Sequence, residues 1–190
     1  LYEKLINYNF NPAAVISTIF MKTLAQYSEN PALTINVTLF NRQLLHEDVN
    51  EILGEFTNNA VISYQGKADL LDAIRVTQEQ MWRLVQYREF EGSNILKMLS
   101  SGRAGKAIMP VVFTCMLDGN VSEVEKRRYS FKEEYAISQT PQVVLDHHVR
   151  DDLGYLKVSW DYIIEVFDKQ YITDIFGTYV NNIKKFMEKN

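Results

Sequence analysis

At 190 residues the chain is the size of one large domain or of a lobe of something larger, long enough to bury well over half of its unfolded surface. Its 46% hydrophobic and 23% charged residues are ordinary for a globular protein, and a net charge of −4 supplies no basic field for nucleic acid or an anionic membrane surface. One cysteine, Cys115, excludes an internal disulfide and points to a reducing, cytoplasmic setting, and no apolar run approaches the ~18 residues of a membrane span. The chain opens at Leu1 with no signal-peptide pattern and reads as cut from a longer polypeptide, so part of any site is expected elsewhere.

Asn11-Pro12 sets a capping side chain before a proline at the first helical position, and Val15, Ile16, Ile19, Phe20 and Leu24 then recur at helical spacing up to Asn30-Pro31. Leu33 to Phe40 is rich in β-branched residues and predicts a strand, with Asn36 as its polar exception. Asn41 to Asn50 is polar and turn-like. Glu51 to Tyr64 places Gly54, Glu55 and Thr57 ahead of a second strand over Ala60 to Tyr64, and Gly54 suggests a special backbone conformation.

Lys67 to Arg88 carries the longest helical pattern, with Leu70, Leu71, Ile74, Met81, Trp82 and Val85 on the repeating face, where Met81 and Trp82 read as core. A shorter helix over Ser93 to Ser101 leads through a loop at Gly102 to Lys106 into Met109 to Leu117. That unbroken apolar run, interrupted only by Thr114, predicts a strand buried on both faces. Asp118 to Arg128 reads as a solvated charged face. Tyr135 to Gln139 and Gln142 to Arg150 predict strands meeting at Thr140-Pro141. Asp151 to Gly154 predicts the turn of a hairpin returning through Tyr155 to Trp160. The last helix is expected from about Asp168 to Met187. No repeat or linker divides the chain, so a single α/β unit is expected.

Asn36, Thr114 and Asp146 are three polar insertions in apolar strands. A buried hydroxyl such as Thr114 either satisfies itself locally or points into a site. Asp146 is the most informative, because a buried carboxylate costs several kcal/mol unless paired. It is a candidate acid/base group, or else one half of a salt bridge, for instance to Arg150, or a residue of an edge strand that exposes it. His147-His148 with Asp152 matches HHxxxD, in which chloramphenicol acetyltransferase and peptide-synthetase condensation domains carry a catalytic histidine, but Leu153 follows where that motif has glycine. Three histidines and one cysteine give no metal-ligand spacing, and SGRAGK lacks the frame of a phosphate-binding loop.

Four segments together resemble one family. Gly54-Glu55-Phe56-Thr57 is similar to GDFT, Pro110 to Leu117 to PVVFTSxL, Ile137 to Gln142 with Leu145 to His147 to parts of ISQTPQVWLDHQV, and Thr38 to Arg42 with Leu45-His46 to parts of TLFNRLPLHP. All belong to the heterocyclization domains of nonribosomal peptide synthetases, in matching order along nearly the whole chain. The resemblance implies a chloramphenicol acetyltransferase-like α/β lobe, a mixed β-sheet packed against helices. It also implies that residues 1–190 are the C-terminal lobe of a two-lobed domain whose N-terminal lobe carries the DxxxxD motif, which leaves HHVRDD a chance match.

The family joins an acyl or peptidyl thioester to a carrier-bound cysteine, serine or threonine and cyclodehydrates the product to a thiazoline or oxazoline. The implied catalytic residues are Asp146, as general acid/base, and Thr114, as a positioning or relay hydroxyl. Asn36, Thr57 and His148 would line the substrate tunnel. No cofactor or metal is bound directly; substrates arrive on phosphopantetheine. Implied partners are the N-terminal lobe, the upstream and downstream peptidyl carrier proteins and an adenylation domain. Glu55, Cys115, Val144 and His148 stand where the family has aspartate, serine, tryptophan and glutamine, and His148 falls on the face of Asp146 if the strand is regular. Two other readings remain at this point: an ordinary condensation or acyltransferase lobe using His148, and a noncatalytic platform that docks carrier proteins.

Overall fold

The computed structural model describes residues 2–66, 69–90, 92–100, 109–117, 135–137, 140–152 and 155–188. A short helix α1 (Tyr2–Tyr8), not anticipated from its uncapped sequence, precedes α2 (Pro12–Gln26). The Asn11 side chain accepts a hydrogen bond from the Ala13 amide at 2.8 Å, and Pro12 occupies the first turn, as the sequence requires. From Ala14 to Met21 every residue of α2 is buried. The buried hydroxyls of α2 are satisfied on the helix itself: Ser17 and Thr18 donate to the Ala14 carbonyl at 3.2 and 2.6 Å, and Thr23 to that of Ile19 at 2.8 Å.

The strands are β1 (Ala32–Phe40), β2 (Thr57–Gln65), β3 (Val111–Met116), β4 (Leu145–Asp152) and β5 (Tyr155–Tyr162). They form one mixed sheet of order β2-β1-β3-β4-β5, in which β1, β3 and β4 run parallel and the outer pairs are antiparallel. A 3-10 turn at Glu47–Glu51 lies between β1 and β2. Helices α3 (Leu70–Gln86) and α4 (Gly92–Ser100) connect β2 to β3, and α5 (Lys169–Glu188) follows β5. Asp69 caps α3 by accepting from the Asp72 amide at 2.9 Å, and Asp168 does the same for α5 through Tyr171 at 3.0 Å. Gly92 opens α4 against β2, where a Cβ would lie 1.9 Å from the Asn59 carbonyl oxygen; only glycine permits that approach.

The alternation of each strand divides the sheet into two faces. Ile35, Val37, Ile62, Phe113, Leu145, His147, Val149 and Trp160 meet α2, α3 and α5 in one core. Phe20 of α2 is at its centre, with ring centroids 4.6 to 6.0 Å from His147, Trp160, Tyr179 and Phe113. Asn36, Thr38, Val112, Thr114, Asp146, His148, Ser159 and Asp161 share the opposite face.

Several expectations are corrected. Of β3 only Phe113 is fully buried, and Met116 is exposed, because helices cover one face of the strand and a groove borders the other. Trp82 and Val85 are exposed: the buried stripe of α3 runs through Ala73, Ile74 and Thr77, and Trp82 lies about 100° around the helix from Met81. Residues 135–137 are irregular and exposed rather than a strand, and β4 begins at Leu145 rather than Gln142, which has φ 71°. Gly54 is not among the positive-φ positions; Gly66, at φ 70°, is. The expected loop at residues 102–106 and the charged stretch 118–128 lie outside the described residues.

Candidate functional site

β3 and β4 are adjacent and parallel, and their register pairs Val112 with Asp146 and Thr114 with His148. Side chains paired in this way share a face, so Thr114, Asp146 and His148 project together from neighbouring strands. Asn36 continues the row onto β1 through its pairing with Val112. It is buried, and its Oδ1 has no hydrogen-bond partner among the described residues. Thr114 and Thr38 share a hydroxyl–hydroxyl hydrogen bond of 2.9 Å.

Asp146 is buried on a strand that has neighbours on both sides, so the edge-strand explanation of its carboxylate does not apply. Among its contacts is His148, whose Nε2 lies 3.4 Å from one Asp146 oxygen and 3.9 Å from an oxygen of Asp161. Asp161 is directly opposite Asp146 across the antiparallel β4-β5 pair. The imidazole therefore stands between two carboxylates. The Asp146 carboxylate is the largest cause that raises the His148 pKa above its ordinary value. At 3.4 Å the two atoms do not meet hydrogen-bond geometry, so the interaction is an ion-pair attraction. The Asp146 and Asp161 charges add to the rise, while burial and Arg150 oppose it.

Two cavities border this face. One, of about 680 Å³, lies between residues 140–144, Asp146, Asp161 and Ile163 to Glu165. The other, of about 260 Å³, is lined by Met116, Ile137, His148, Arg150, Lys157, Ser159 and Asp161. Ile137 and Asp161 belong to both, which makes one continuous groove with a carboxylate at its middle. Thr114 and Asn36 lie beside the groove on the same face without lining it.

Thr57 is not brought into this cluster. It is exposed at the start of the outer strand β2, paired with Phe40, and its amide donates to Glu55 at 2.7 Å. Hydrogen bonds from the Thr57 hydroxyl and amide lower the Glu55 pKa. The HHxxxD spacing does not assemble either. His147 points into the core, bonded to the Tyr179 hydroxyl at 2.7 Å, and Asp152 lies four residues beyond His148, about 13 Å along an extended strand. Among the described residues no group of three or more His, Cys, Asp or Glu side chains is arranged to hold a metal ion, and no helix is long and apolar enough to cross a membrane.

Sequence reasoning missed Asp161 because of the turn. A turn over Asp151 to Gly154 would pair Arg150 with Tyr155 and put Ser159 opposite Asp146. The strands instead pair up to Asp152 and Tyr155, which advances the register by two residues.

No family model matches the chain. Bacitracin synthase 1 of Bacillus licheniformis is 27% identical to it over 97% of this chain and 4% of its own length. Phenyloxazoline synthase MbtB of Mycolicibacterium paratuberculosis is 31% identical over 90% of this chain and 15% of its own length. Among solved structures, the EpoB NRPS cyclization-docking bidomain from Sorangium cellulosum superposes with a TM-score of 0.85 at 27% identity, over 99% of this chain and 39% of that one. Homologues of this chain are nonribosomal peptide synthetases. The five-stranded mixed sheet with its helices is a condensation-domain fold of the chloramphenicol acetyltransferase-like kind, as expected. Against peptide synthetases of this length the chain is a small part, spanning 4% to 15% of these two curated relatives.

Proposed function

We propose that this chain is the C-terminal lobe of a heterocyclization domain. In this reading the complete domain couples a carrier-bound acyl or peptidyl thioester to a carrier-bound cysteine, serine or threonine and closes that side chain into a thiazoline or oxazoline. The observation that carries the reading is the projection of Thr114 and Asp146 from adjacent parallel strands onto one groove-bordered face. The likeness of nearly the whole chain to a cyclization-docking bidomain and to a phenyloxazoline synthase supports it.

The chemistry asks little of this lobe beyond proton transfer. The side-chain thiol or hydroxyl of the new amide adds to the amide carbonyl and must lose a proton; the resulting hemiaminal oxygen must gain protons to leave as water, with the C=N bond forming as the nitrogen proton departs. A carboxylate held in a partly dry groove accepts the first proton and returns it to the departing oxygen. Asp146 has that position, and Thr114 orients the oxygen or relays through its hydroxyl. Asn36 and His148 border the same region, and Thr57 lies farther out. Substrates would be presented on the phosphopantetheine arms of upstream and downstream carrier proteins, in a tunnel completed by the N-terminal lobe, with an adenylation domain supplying the amino acid.

The condensation alternative asks His148 to act as a general base at neutral pH. An imidazole held between two carboxylates favours its charged form, which has no lone pair to accept a proton. The experiment is Asp146→Asn and Thr114→Ala in the full-length protein. Linear amide accumulates while ring product falls at least a hundredfold for Asp146→Asn and about tenfold for Thr114→Ala. Normal ring yield from both variants removes these residues from the mechanism.

A further inference from the structure

We infer that Asp161 is a positioning residue of this site, acting through His148: the imidazolium held between the two carboxylates charge-balances Asp146, so that the ring-closing carboxylate works as part of a carboxylate–imidazolium–carboxylate unit. The inference rests on the proposed function and extends it to residues that the sequence reading assigned differently or missed. Three observations carry it. Asp161 sits directly across the strand pair from Asp146. A single imidazole nitrogen, Nε2 of His148, approaches both carboxylates, at 3.4 and 3.9 Å. Asp161 lines both cavities of the groove, so it reaches the space that a substrate would occupy.

Two carboxylates side by side in a partly desolvated groove resist ionising together, because each charge disfavours the other. A cation between them removes that conflict. Protonated His148 lets Asp146 stay ionised, ready to accept a proton, and holds its carboxylate in one orientation. The groups that face His148 are Asp146 and Arg150 on its own strand, Lys157, Ser159 and Asp161 on β5, and Thr114 and Met116 on β3. Arg150 and Lys157 lie on the far side of His148 from Asp146, so the cationic end of this row is opposite the acidic end.

The test follows ring formation in the full-length protein across the pH range where carboxylates and imidazoles titrate, with linear amide formation as the internal reference. Wild type gives a bell: the acid limb reports loss of the Asp146 charge and the alkaline limb loss of the His148 proton. Asp161→Asn removes a negative neighbour from both groups and shifts both limbs toward acid, by roughly half a unit each. Asp161→Glu restores the wild-type positions. His148→Gln abolishes the alkaline limb and moves the acid limb upward. A purely structural role for Asp161 lowers the bell without moving it. Unmoved limbs in Asp161→Asn, or an alkaline limb that survives in His148→Gln, overturn the inference. If either result comes with ring formation abolished in Asp146→Asn, the proposed function stands without it; if Asp146→Asn forms rings normally, the proposed function itself has failed.

Discussion

His147 and His148 are neighbours in sequence and opposites in circumstance. His147 faces the helices, wholly buried between Phe20, Phe113 and Tyr179, and desolvation pushes its pKa down to about 3. His148 faces the groove between two carboxylates, and its pKa is raised. One strand thus carries the same side chain into two dielectric environments, and the environments decide its charge. The contrast holds for the sheet as a whole: the helix face is apolar and aromatic, and the groove face carries Asn36, Thr38, Thr114, Asp146 and Asp161. Stability and chemistry are assigned to different sides of one layer.

If the faces are separable, changes on the helix side cost folding and leave the product ratio alone. Phe20→Ala, at the aromatic centre, destabilises by about 3 to 5 kcal/mol. Hydrogen exchange of α2 and β3 amides measures this, and a changed ratio of ring to linear product per folded molecule breaks the division. Next in size is the pH dependence that His147 imposes. Its folded pKa of about 3 lies below the unfolded 6.5, so the unfolded chain binds more protons between those values and stability falls as pH drops below 6.5. By pH 5 the loss is about 2 kcal/mol at ~1.4 kcal/mol per unit. His147→Phe flattens that slope, read as exchange protection of α5 against pH, although the lost bond to Tyr179 lowers stability at pH 7. His148 has the opposite sign: the stability it contributes is complete below 6.5 and is lost as pH rises through its raised folded value.

On the groove side, Thr38→Val removes the hydroxyl partner of Thr114 and costs about 1 kcal/mol of stability. Its larger consequence is a several-fold loss of ring product with linear amide formation retained. Equal losses of both products would mean that the hydrogen bond only supports the fold. The smallest effect belongs to Trp82→Ala, since that side chain is mostly solvent-exposed. A denaturation midpoint equivalent to within about 0.5 kcal/mol of wild type checks it.

Much of this division was legible before any coordinates. The Asn11-Pro12 cap marked α2 and the 3.6-residue spacing marked α2, α3 and α5, and the polar insertions Asn36, Thr114 and Asp146 proved to lie on a single face. What stayed hidden has physical reasons. An apolar run such as PVVFTCML does not alternate, so it cannot reveal that one of its faces borders a groove rather than a second layer. Register across β4 and β5 depends on where the hairpin turns, and a two-residue difference replaced Ser159 by Asp161 opposite Asp146. α1 has seven residues and no capping signal, and tertiary packing of Leu5 and Phe10 fixes it beside the core.

The Thr38–Thr114 hydrogen bond has an arrow that no heavy-atom position records. A threonine hydroxyl owns one proton. When Thr38 spends its proton on Thr114, the Thr114 proton is released to turn outward and the groove face gains a donor; when Thr114 spends its own, the same oxygen offers only lone pairs. The pair is a two-position rotor that reverses by torsion about two Cβ–Oγ bonds while the backbone stays still. An atom arriving there with either polarity, an alkoxide needing a donor or a hydroxyl needing an acceptor, meets a matching partner, and the reversal is stored one strand away, in Thr38.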